Sequence, residues 1–169
     1  EIQIDNWKEK QNQLLRLCDN SEFVNENKPS EVQTSYFKKD QSVNLTQSVV
    51  NILREEIQGF GRKFDIRNQI IDYAWFQKYN DTDFHIPHSH GTTGWSCIVY
   101  IKFDPTVHKA TDFIAPFCDA KGDVIIYRPE VSEGTMIFFP SMLIHYALPS
   151  KSHKTRIILS FNIKMGEVK

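Results

Sequence analysis

The sequence predicts an α+β protein, mainly β, in which N-terminal helices pack on the outside of a β-sandwich or barrel. Two observations predict this class. Apolar residues recur at helical spacing early in the chain, and short runs rich in β-branched and aromatic residues, separated by turn residues, follow them. The 169 residues, 40% of them hydrophobic, suffice for one packed core. We therefore expect a single domain over residues 1–169, with a helical support region at 1–65 and a β core at 66–164.

Two helices are predicted before the β-rich part. Residues 7–18, WKEKQNQLLRLC, carry apolar side chains at roughly helical spacing and predict a short amphipathic helix. Residues 45–60, LTQSVVNILREEIQGF, place their apolar side chains on one helical face. The polar segment between them, residues 20–44, is expected to be a loop with a short strand near residues 32–37.

The last predicted strand, TRIILSFNI, has two chemically different faces. Alternate side chains of a strand point to opposite sides. One face of this strand is entirely apolar and is expected to pack against the helices. The other face carries Arg156, Ser160 and Asn162. We expect this face to look into a polar cavity or into solvent.

Composition excludes several classes of protein. The formal net charge is −1 and no basic stripe is present, so nucleic acid is not an expected partner. No run of 18 apolar residues occurs, so no membrane span is expected. The three cysteines form no CxxC pair, which favours a reducing cytoplasm over a disulfide framework.

Three of the six histidines form a candidate metal site. In FHIPHSHG, His88 and His90 are two residues apart, so an extended strand presents both to the same side. His145, in an apolar segment before another strand, is the best third ligand, although a hydrogen-bonded core histidine also fits there. Three imidazoles suit iron, zinc, copper or nickel and leave positions open for catalysis. The remaining histidines are interpreted as ordinary solvated or loop residues: His85, His108 and His153.

The order of these features resembles a known enzyme family. PHSHGTTGWSCIVYIKF and EGTMIFFPSMLIHYALPSKSHKTRIILSFNI, within residues 73–163, resemble Fe(II)/2-oxoglutarate-dependent oxygenases, particularly the prolyl-hydroxylase-like, phage and bacterial branches. The resemblance implies a double-stranded β-helix, which is a jelly-roll of the cupin-like type. It also implies Fe(II), 2-oxoglutarate and O2 as cofactor and cosubstrates.

The resemblance also assigns roles to individual residues. His88, His90 and His145 correspond to the metal ligands, with His90 at the position where the family usually has an acidic ligand. Arg156, eleven residues after His145, corresponds to the residue that binds the distal carboxylate of 2-oxoglutarate. Tyr100 corresponds to a tyrosine that hydrogen-bonds the same carboxylate, although a core aromatic role fits it equally well. The HxH motif in place of HxD leaves metal identity and reaction open.

Further residues are expected to line the pocket. Gln77, Tyr79 and Tyr73 lie on the strand before the HxH motif, and Ser160 and Asn162 lie on the polar face of the last strand. Gln77 and Ser160 are therefore additional candidates for binding the cosubstrate.

The resemblance implies an oxidoreductase that hydroxylates a peptide, with a peptidyl proline as a first interpretation, or a small molecule. The segment 104–123, with Phe113, Phe117 and Arg128 near its edges, is a candidate substrate lid because long ordered loops are often functional. A cytoplasmic enzyme is expected, and a virus-encoded one acting in a host cytoplasm stays open.

Three alternatives remain. A three-histidine cupin-type dioxygenase would use the same ligands without 2-oxoglutarate, but its carboxylate-binding arginine usually precedes the metal motif. A binding domain that has lost its oxygen chemistry would hold little iron. A structural β-sandwich would leave the three histidines far apart.

Overall fold

The computed structural model contains three helices and eleven strands in the part of the chain that it describes. That part comprises residues 1–25, 31–66, 68–150 and 152–165, without the side chains of Gln41 and Met165. The helices are α1 (Trp7–Asp19), α2 (Lys39–Ile52) and α3 (Arg54–Lys63). The strands are β1 (Ile2–Gln3), β2 (Val24–Asn25), β3 (Gln33–Thr34), β4 (Gln69–Asp81), β5 (His85–His88), β6 (Trp95–Lys102), β7 (Thr111–Cys118), β8 (Val124–Tyr127), β9 (Thr135–Pro140), β10 (His145–Ala147) and β11 (Ser152–Met165).

The strands form two antiparallel sheets. The larger sheet has the order β1-β9-β6-β11-β4-β3-β2, and the smaller one has the order β5-β10-β7-β8. Three short N-terminal strands extend the larger sheet, so the first 65 residues contribute strands as well as helices. None of the helices in the described ranges is long and apolar enough to span a bilayer. The arrangement confirms the predicted class: a mainly β protein with helices packed outside.

Strand β11 separates two hydrophobic cores. Its apolar face, from Ile157 to Ile163, packs with the helices in the outer core. On its other face, Ile158 packs with Tyr100 and Phe113 in the inner core, between the two sheets. The predicted division of the last strand into a helix-facing and a cavity-facing side is therefore confirmed.

The prediction of one helix over residues 45–60 was wrong in its bounds. The helical region begins at Lys39, inside the predicted loop, and bends at Leu53, whose φ and ψ are −104° and 21°. Hydrogen bonds from Leu53 N–H to Val49 O and from Ile57 N–H to Leu53 O continue across the bend. No glycine or proline marks this position, so periodicity alone could not reveal it. Residues 26–30 of the predicted loop lie outside the described residues.

The segment predicted as a lid is instead partly a strand. Strand β7 lies inside residues 104–123 and pairs with both β10 and β8. Pro116 obscured it, because proline interrupts strand patterns unless it lies at a bulge or edge. Here the register shifts between Ile114 and Cys118, which accommodates the proline. Phe113 of this strand is 4% exposed and belongs to the inner core rather than to a mobile cover.

The outer core should be sensitive to truncation at β11. Leu159 is fully buried at its centre, so Leu159→Ala is expected to lower the free energy of unfolding by about 2–5 kcal/mol. Val43→Ala on α2, where Val43 is 77% exposed, is the control and should change it by less than about 0.5 kcal/mol. Urea denaturation measures both, and equal effects would contradict this account of the core.

Candidate metal centre

His88 and His145 are brought together by strand pairing. β5 ends at His88 and β10 begins at His145, and the two residues are direct partners in the antiparallel ladder. Side chains of such partners lie on the same face of the sheet. Their ring centroids are accordingly 4.3 Å apart.

His90 reaches the same point by a different route from the one predicted. It lies two residues beyond the end of β5, so strand alternation does not aim it. Its backbone N–H donates to Ser141 O at 2.8 Å. Its Nδ1 lies 3.0 Å from both Ser96 Oγ and Asn162 Oδ1. Contacts with three other segments therefore orient this ring.

The ε nitrogens of the three histidines converge. The Nε2 atoms of His88 and His90 are 3.3 Å apart, and the ligand atoms of these two residues and His145 lie within 4.8 Å of one another. An imidazole nitrogen binds a divalent transition metal at about 2.1 Å, which brings adjacent ligands about 3 Å apart. The Nδ1 of His88 contacts Ile86 O at 2.8 Å, and that of His145 contacts Leu143 O at 3.0 Å. A proton on each Nδ1 leaves the Nε2 lone pairs directed at one point.

Burial keeps two of these rings neutral. Desolvation lowers the pKa of His145 to about 3, and repulsion from His88 and His90 adds to this effect. Desolvation also lowers the pKa of His90, against the opposing hydrogen bond to Asn162. A metal therefore meets deprotonated imidazoles at neutral pH and displaces no proton from them.

Arg156 lies buried on the cavity side of β11. It is 1% exposed, its Nη1 donates to Lys109 O, and its guanidinium carbon lies 3.9 Å from the centroid of the Tyr79 ring. Its Nε and Nη2 are buried and have no hydrogen-bond partner among the described residues. Desolvation lowers its pKa from the ordinary value. A buried guanidinium with two unsatisfied donors is suited to a carboxylate ligand.

Tyr100 lies at the same end of the inner core. It is fully buried, and its hydroxyl oxygen accepts a hydrogen bond from Thr111 N–H at 3.0 Å. Desolvation raises the pKa of its hydroxyl, and the charge of Arg156 opposes that shift. The residue therefore combines a core aromatic role with a hydroxyl group near Arg156.

A polar row lies beside the triad. Ser160 Oγ donates to Gln77 Oε1 at 3.3 Å, and Gln77 Nε2 contacts His85 Nδ1 at 3.1 Å. His85 in turn stacks on His88 with a centroid distance of 3.9 Å. The interpretation of His85 as an ordinary solvated residue was wrong, because it lines the cavity. The proline between His85 and His88 hid that placement from strand alternation.

The other two histidines lie apart from the metal centre. His108 is buried, where its Nδ1 accepts from Asp104 N–H and its Nε2 contacts Lys154 O. His153 is exposed on β11. Neither belongs to the group of converging nitrogens.

Aromatic residues that sequence reasoning did not combine form one wall of the cavity. Tyr36 and Trp75 line a cavity of about 320 Å³ that also includes His88, His90 and Asn162. Tyr73 supports this wall rather than lining it. Only the pairing of β3 with β4 brings Tyr36, from the first 65 residues, to this place.

Two sheets thus enclose three converging imidazoles that could hold one metal ion and a buried arginine that could bind an anion. A family model described as "Putative 2OG-Fe(II) oxygenase" matches residues 73–162, more than half of the chain. The chain therefore belongs to the 2OG-Fe(II) oxygenase family. No curated protein sequence matches it.

Solved structures share the fold at low identity. The epimerase SnoN from nogalamycin biosynthesis, in complex with Fe3+, alpha ketoglutarate and nogalamycin RO, has a TM-score of 0.70 at 12% identity, over 95% of this chain and 75% of that chain. A Pseudomonas putida prolyl-4-hydroxylase has a TM-score of 0.57 at 14% identity, over 94% of this chain and 88% of that chain. The viral collagen prolyl hydroxylase from Paramecium Bursaria Chlorella virus-1, as its 2OG complex, has a TM-score of 0.60 at 18% identity, over 96% of this chain and 94% of that chain. These likenesses confirm the double-stranded β-helix.

The protein is thus a 2-oxoglutarate-dependent oxygenase, and its family uses Fe(II), 2-oxoglutarate and O2. The residues present fit these groups. Three imidazoles supply nitrogen ligands for a divalent metal, and the unsatisfied Nε and Nη2 of Arg156 supply hydrogen-bond donors for a carboxylate.

Acid should destabilise the metal-free protein through His145. The unfolded chain takes up a proton near the ordinary histidine pKa of about 6.5, whereas folded His145 does so only near about 3. Stability from this group is therefore present above pH 6.5 and is lost as pH falls toward 3, by up to about 1.4 kcal/mol per pH unit. Denaturation at several pH values should show that the free energy of unfolding falls less steeply with decreasing pH in His145→Gln than in wild type. Equal pH dependence in the two proteins would contradict this.

Asn162 should matter for the metal through His90. Asn162→Ala removes one hydrogen-bond acceptor from the His90 Nδ1–H, and such losses weaken metal binding about 10- to 100-fold. Asn162→Asp keeps an acceptor and is the matched control. Competition with a chromophoric chelator measures the affinity. Wild-type affinity in Asn162→Ala would show that Ser96 alone orients the ring.

Proposed function

We propose that this protein is a mononuclear Fe(II)- and 2-oxoglutarate-dependent hydroxylase that acts on a peptide or small-molecule substrate. One observation carries the proposal. Three imidazoles converge on one point, and the buried guanidinium of Arg156, on the following strand, has two donors without a partner among the described residues.

The roles of the ligand residues follow from the geometry. His88, His90 and His145 hold the iron through Nε2. Ile86 O, Leu143 O and the side chains beside His90 hold the Nδ1 protons and so fix the rings. When bound, iron, O2 and 2-oxoglutarate supply the oxidising power, and the cosubstrate leaves as succinate and CO2.

Arg156 would hold 2-oxoglutarate, because its Nε and Nη2 can donate together to the distal carboxylate in the bidentate manner that a guanidinium allows. Tyr100, whose hydroxyl is buried near Arg156, would offer a further donor to that carboxylate. Gln77 and Ser160, which are linked to His85 beside the triad, would offer polar groups toward the metal end. Since Ile158 and the aromatic residues of the inner core surround this site, water is excluded and the charge pair is strengthened.

The HxH motif changes the charge of the site. An acidic ligand would neutralise part of the metal charge, whereas His90 leaves both positive charges in place. The two carboxylates of 2-oxoglutarate balance them. The cosubstrate is therefore expected to bind before O2 and to contribute more of its affinity through charge than at a site with an acidic ligand.

Hydroxylation of a peptidyl residue, a proline among them, is the substrate interpretation that we favour. Two of the similar structures are prolyl hydroxylases by name, one bacterial and one viral. Because their sequence identities to this chain are only 14% and 18%, these two structures support the fold alone. The support for a peptide substrate comes chiefly from the cavity in front of the metal centre.

A second candidate is a three-histidine dioxygenase that does not use 2-oxoglutarate. The ligand set fits this enzyme equally well. Arg156 favours the first proposal, because it follows the metal motif on β11 and its donors are unsatisfied within the inner core. The three-histidine dioxygenase has no 2-oxoglutarate whose carboxylate Arg156 would bind.

Anaerobic reconstitution with Fe(II) and 2-oxoglutarate tests the proposal. A weak visible charge-transfer band should appear in wild type and be absent in His145→Ala. Arg156→Ala should weaken 2-oxoglutarate binding by roughly 30- to 1000-fold, which is the usual cost of about 2–4 kcal/mol for truncating a buried charge pair. Lys154→Ala, which removes an exposed cation from the same strand, is the matched control and should bind normally.

The outcomes separate the candidates. Stoichiometric iron without the band would favour the three-histidine dioxygenase. A protein that binds no iron would contradict both. If Arg156→Ala and Lys154→Ala bind 2-oxoglutarate equally, Arg156 does not bind the carboxylate.

A further inference from the structure

The cavity in front of the metal centre has an uncharged lining. It measures about 320 Å³, and the described residues that line it include no aspartate, glutamate, lysine or arginine. Its polar groups are hydroxyl, amide and imidazole groups, such as those of Thr34, Ser89 and Asn162. A charged group that entered would lose its hydration without gaining an ionic partner, which costs several kcal/mol or more.

Tyr36 and Trp75 line one side of this cavity, and Tyr73 packs behind them. We call these three residues the aromatic wall. The ring centroids of Tyr36 and Trp75 are 5.2 Å apart, and those of Tyr36 and Tyr73 are 5.1 Å apart. Trp75 lies 5.2 Å from the ring of His90, so the wall reaches the metal centre. The hydroxyl of Tyr73 donates to the backbone oxygen of Tyr36, which holds the wall together.

The rings of this wall meet edge to face. The interplanar angles are 75° between Tyr36 and Trp75 and 68° between Tyr36 and Tyr73. They therefore do not form a cage of converging ring faces of the kind that binds a quaternary ammonium. The exposed aromatic surface is suited instead to an apolar or ring-bearing group.

The charge of the loaded site also disfavours a cation. Three neutral imidazoles leave both charges of a divalent metal, and the two carboxylates of 2-oxoglutarate cancel them. Arg156 then leaves one net positive charge in the interior, but Arg156 does not line the cavity, so an anionic substrate group would still lose its hydration without a direct ionic partner there. A cationic substrate group would be repelled, since like charges in a low-dielectric site interact strongly.

Apolar side chains are exposed to solvent at the entrance of the cavity. Tyr36 is 43% exposed and Ile86 is 49% exposed, and both line the cavity. Exposed apolar side chains at the rim of a cavity are typical of a site that a larger partner covers. A residue inside a peptide meets these conditions, because its amide groups are neutral, whereas a free amino acid brings two charges.

We propose that the aromatic wall selects the reacting group of the substrate as an uncharged, apolar or ring-bearing side chain within a peptide, and that the cavity rejects cations, anions and free amino acids. This inference rests on the proposed function, whose metal and cosubstrate it assumes.

Tryptophan fluorescence provides a binding measurement that needs no turnover. Trp75 lies in the cavity, whereas Trp7 and Trp95 pack with the outer core. The Fe(II) and 2-oxoglutarate complex, kept anaerobic, is titrated with blocked tripeptides, acetyl-Gly-Xaa-Gly-amide, in which Xaa is Pro, Leu, Phe, Lys or Asp. The corresponding free amino acids are titrated in parallel. We expect the Pro, Leu or Phe peptide to change the emission and to bind at least tenfold more tightly than the Lys and Asp peptides and the free amino acids.

Variants assign the effect to the wall. Trp75→Phe should abolish the emission change, and Tyr36→Ala should weaken binding of the uncharged peptide about tenfold while the charge-transfer band stays as in wild type. Phe117→Ala truncates an aromatic residue that is 66% exposed and does not line the cavity; it is the control and should bind as wild type does. Tyr36→Glu supplies a carboxylate and should shift the preference toward the Lys peptide.

The results separate this inference from the proposed function. A missing charge-transfer band would contradict the function, whereas the emission change still reports on the cavity. Lys or Asp peptides that bind as tightly as the uncharged ones would overturn the inference, and so would uncharged peptides that leave the emission unchanged. Equal binding by Tyr36→Ala and Phe117→Ala would show that the wall does not select the substrate.

Discussion

The alternation of side chains along β11 is the constraint on which the rest of the structure depends. This strand lies between β4 and β6 and pairs with both from Ile157 to Ile163. Its apolar face anchors the helices, while Arg156, Ser160 and Asn162 on the other face reach the inner cavity. A shift of one residue in register would turn the arginine into the helix-packed core and the isoleucines into the cavity. Folding and site assembly are therefore set by the same ladder of hydrogen bonds.

The metal centre shows how the protein prepares neutral ligands at a buried place. Each Nδ1 lies against an oxygen that can accept a hydrogen bond from it, and desolvation holds His145 and His90 in the neutral form. The same low dielectric makes Arg156 costly without an anion. A dicarboxylate therefore supplies the negative charge that both Arg156 and a bound divalent metal need in the apolar interior.

Most of the fold and part of the site are predictable from the sequence. Periodicity predicted α1, the two faces of β11 and the mainly β class, because each of these depends on neighbours within one element. It missed the bend at Leu53 and read β7 as a loop, since the first has no glycine or proline and the second contains Pro116. The ligand set was proposed from HxH spacing and a resemblance, and the structure brings those three histidines together. The division into one support region and one core over residues 1–169 stays a prediction.

The sequence by itself determined which side chains share a face of a strand and which types of residue are available for a metal. Those properties follow from the two-residue repeat of a strand and from ligand chemistry. Only the tertiary structure decided that His90 is aimed by Ser96, Asn162 and Ser141, that His85 lines the cavity, and that Tyr36 from the N-terminal region meets Trp75. These placements depend on which strands pair and in which register. Strand pairing and register are decided by contacts between residues far apart in the sequence, which must bury both cores at once. Local periodicity therefore does not predict them.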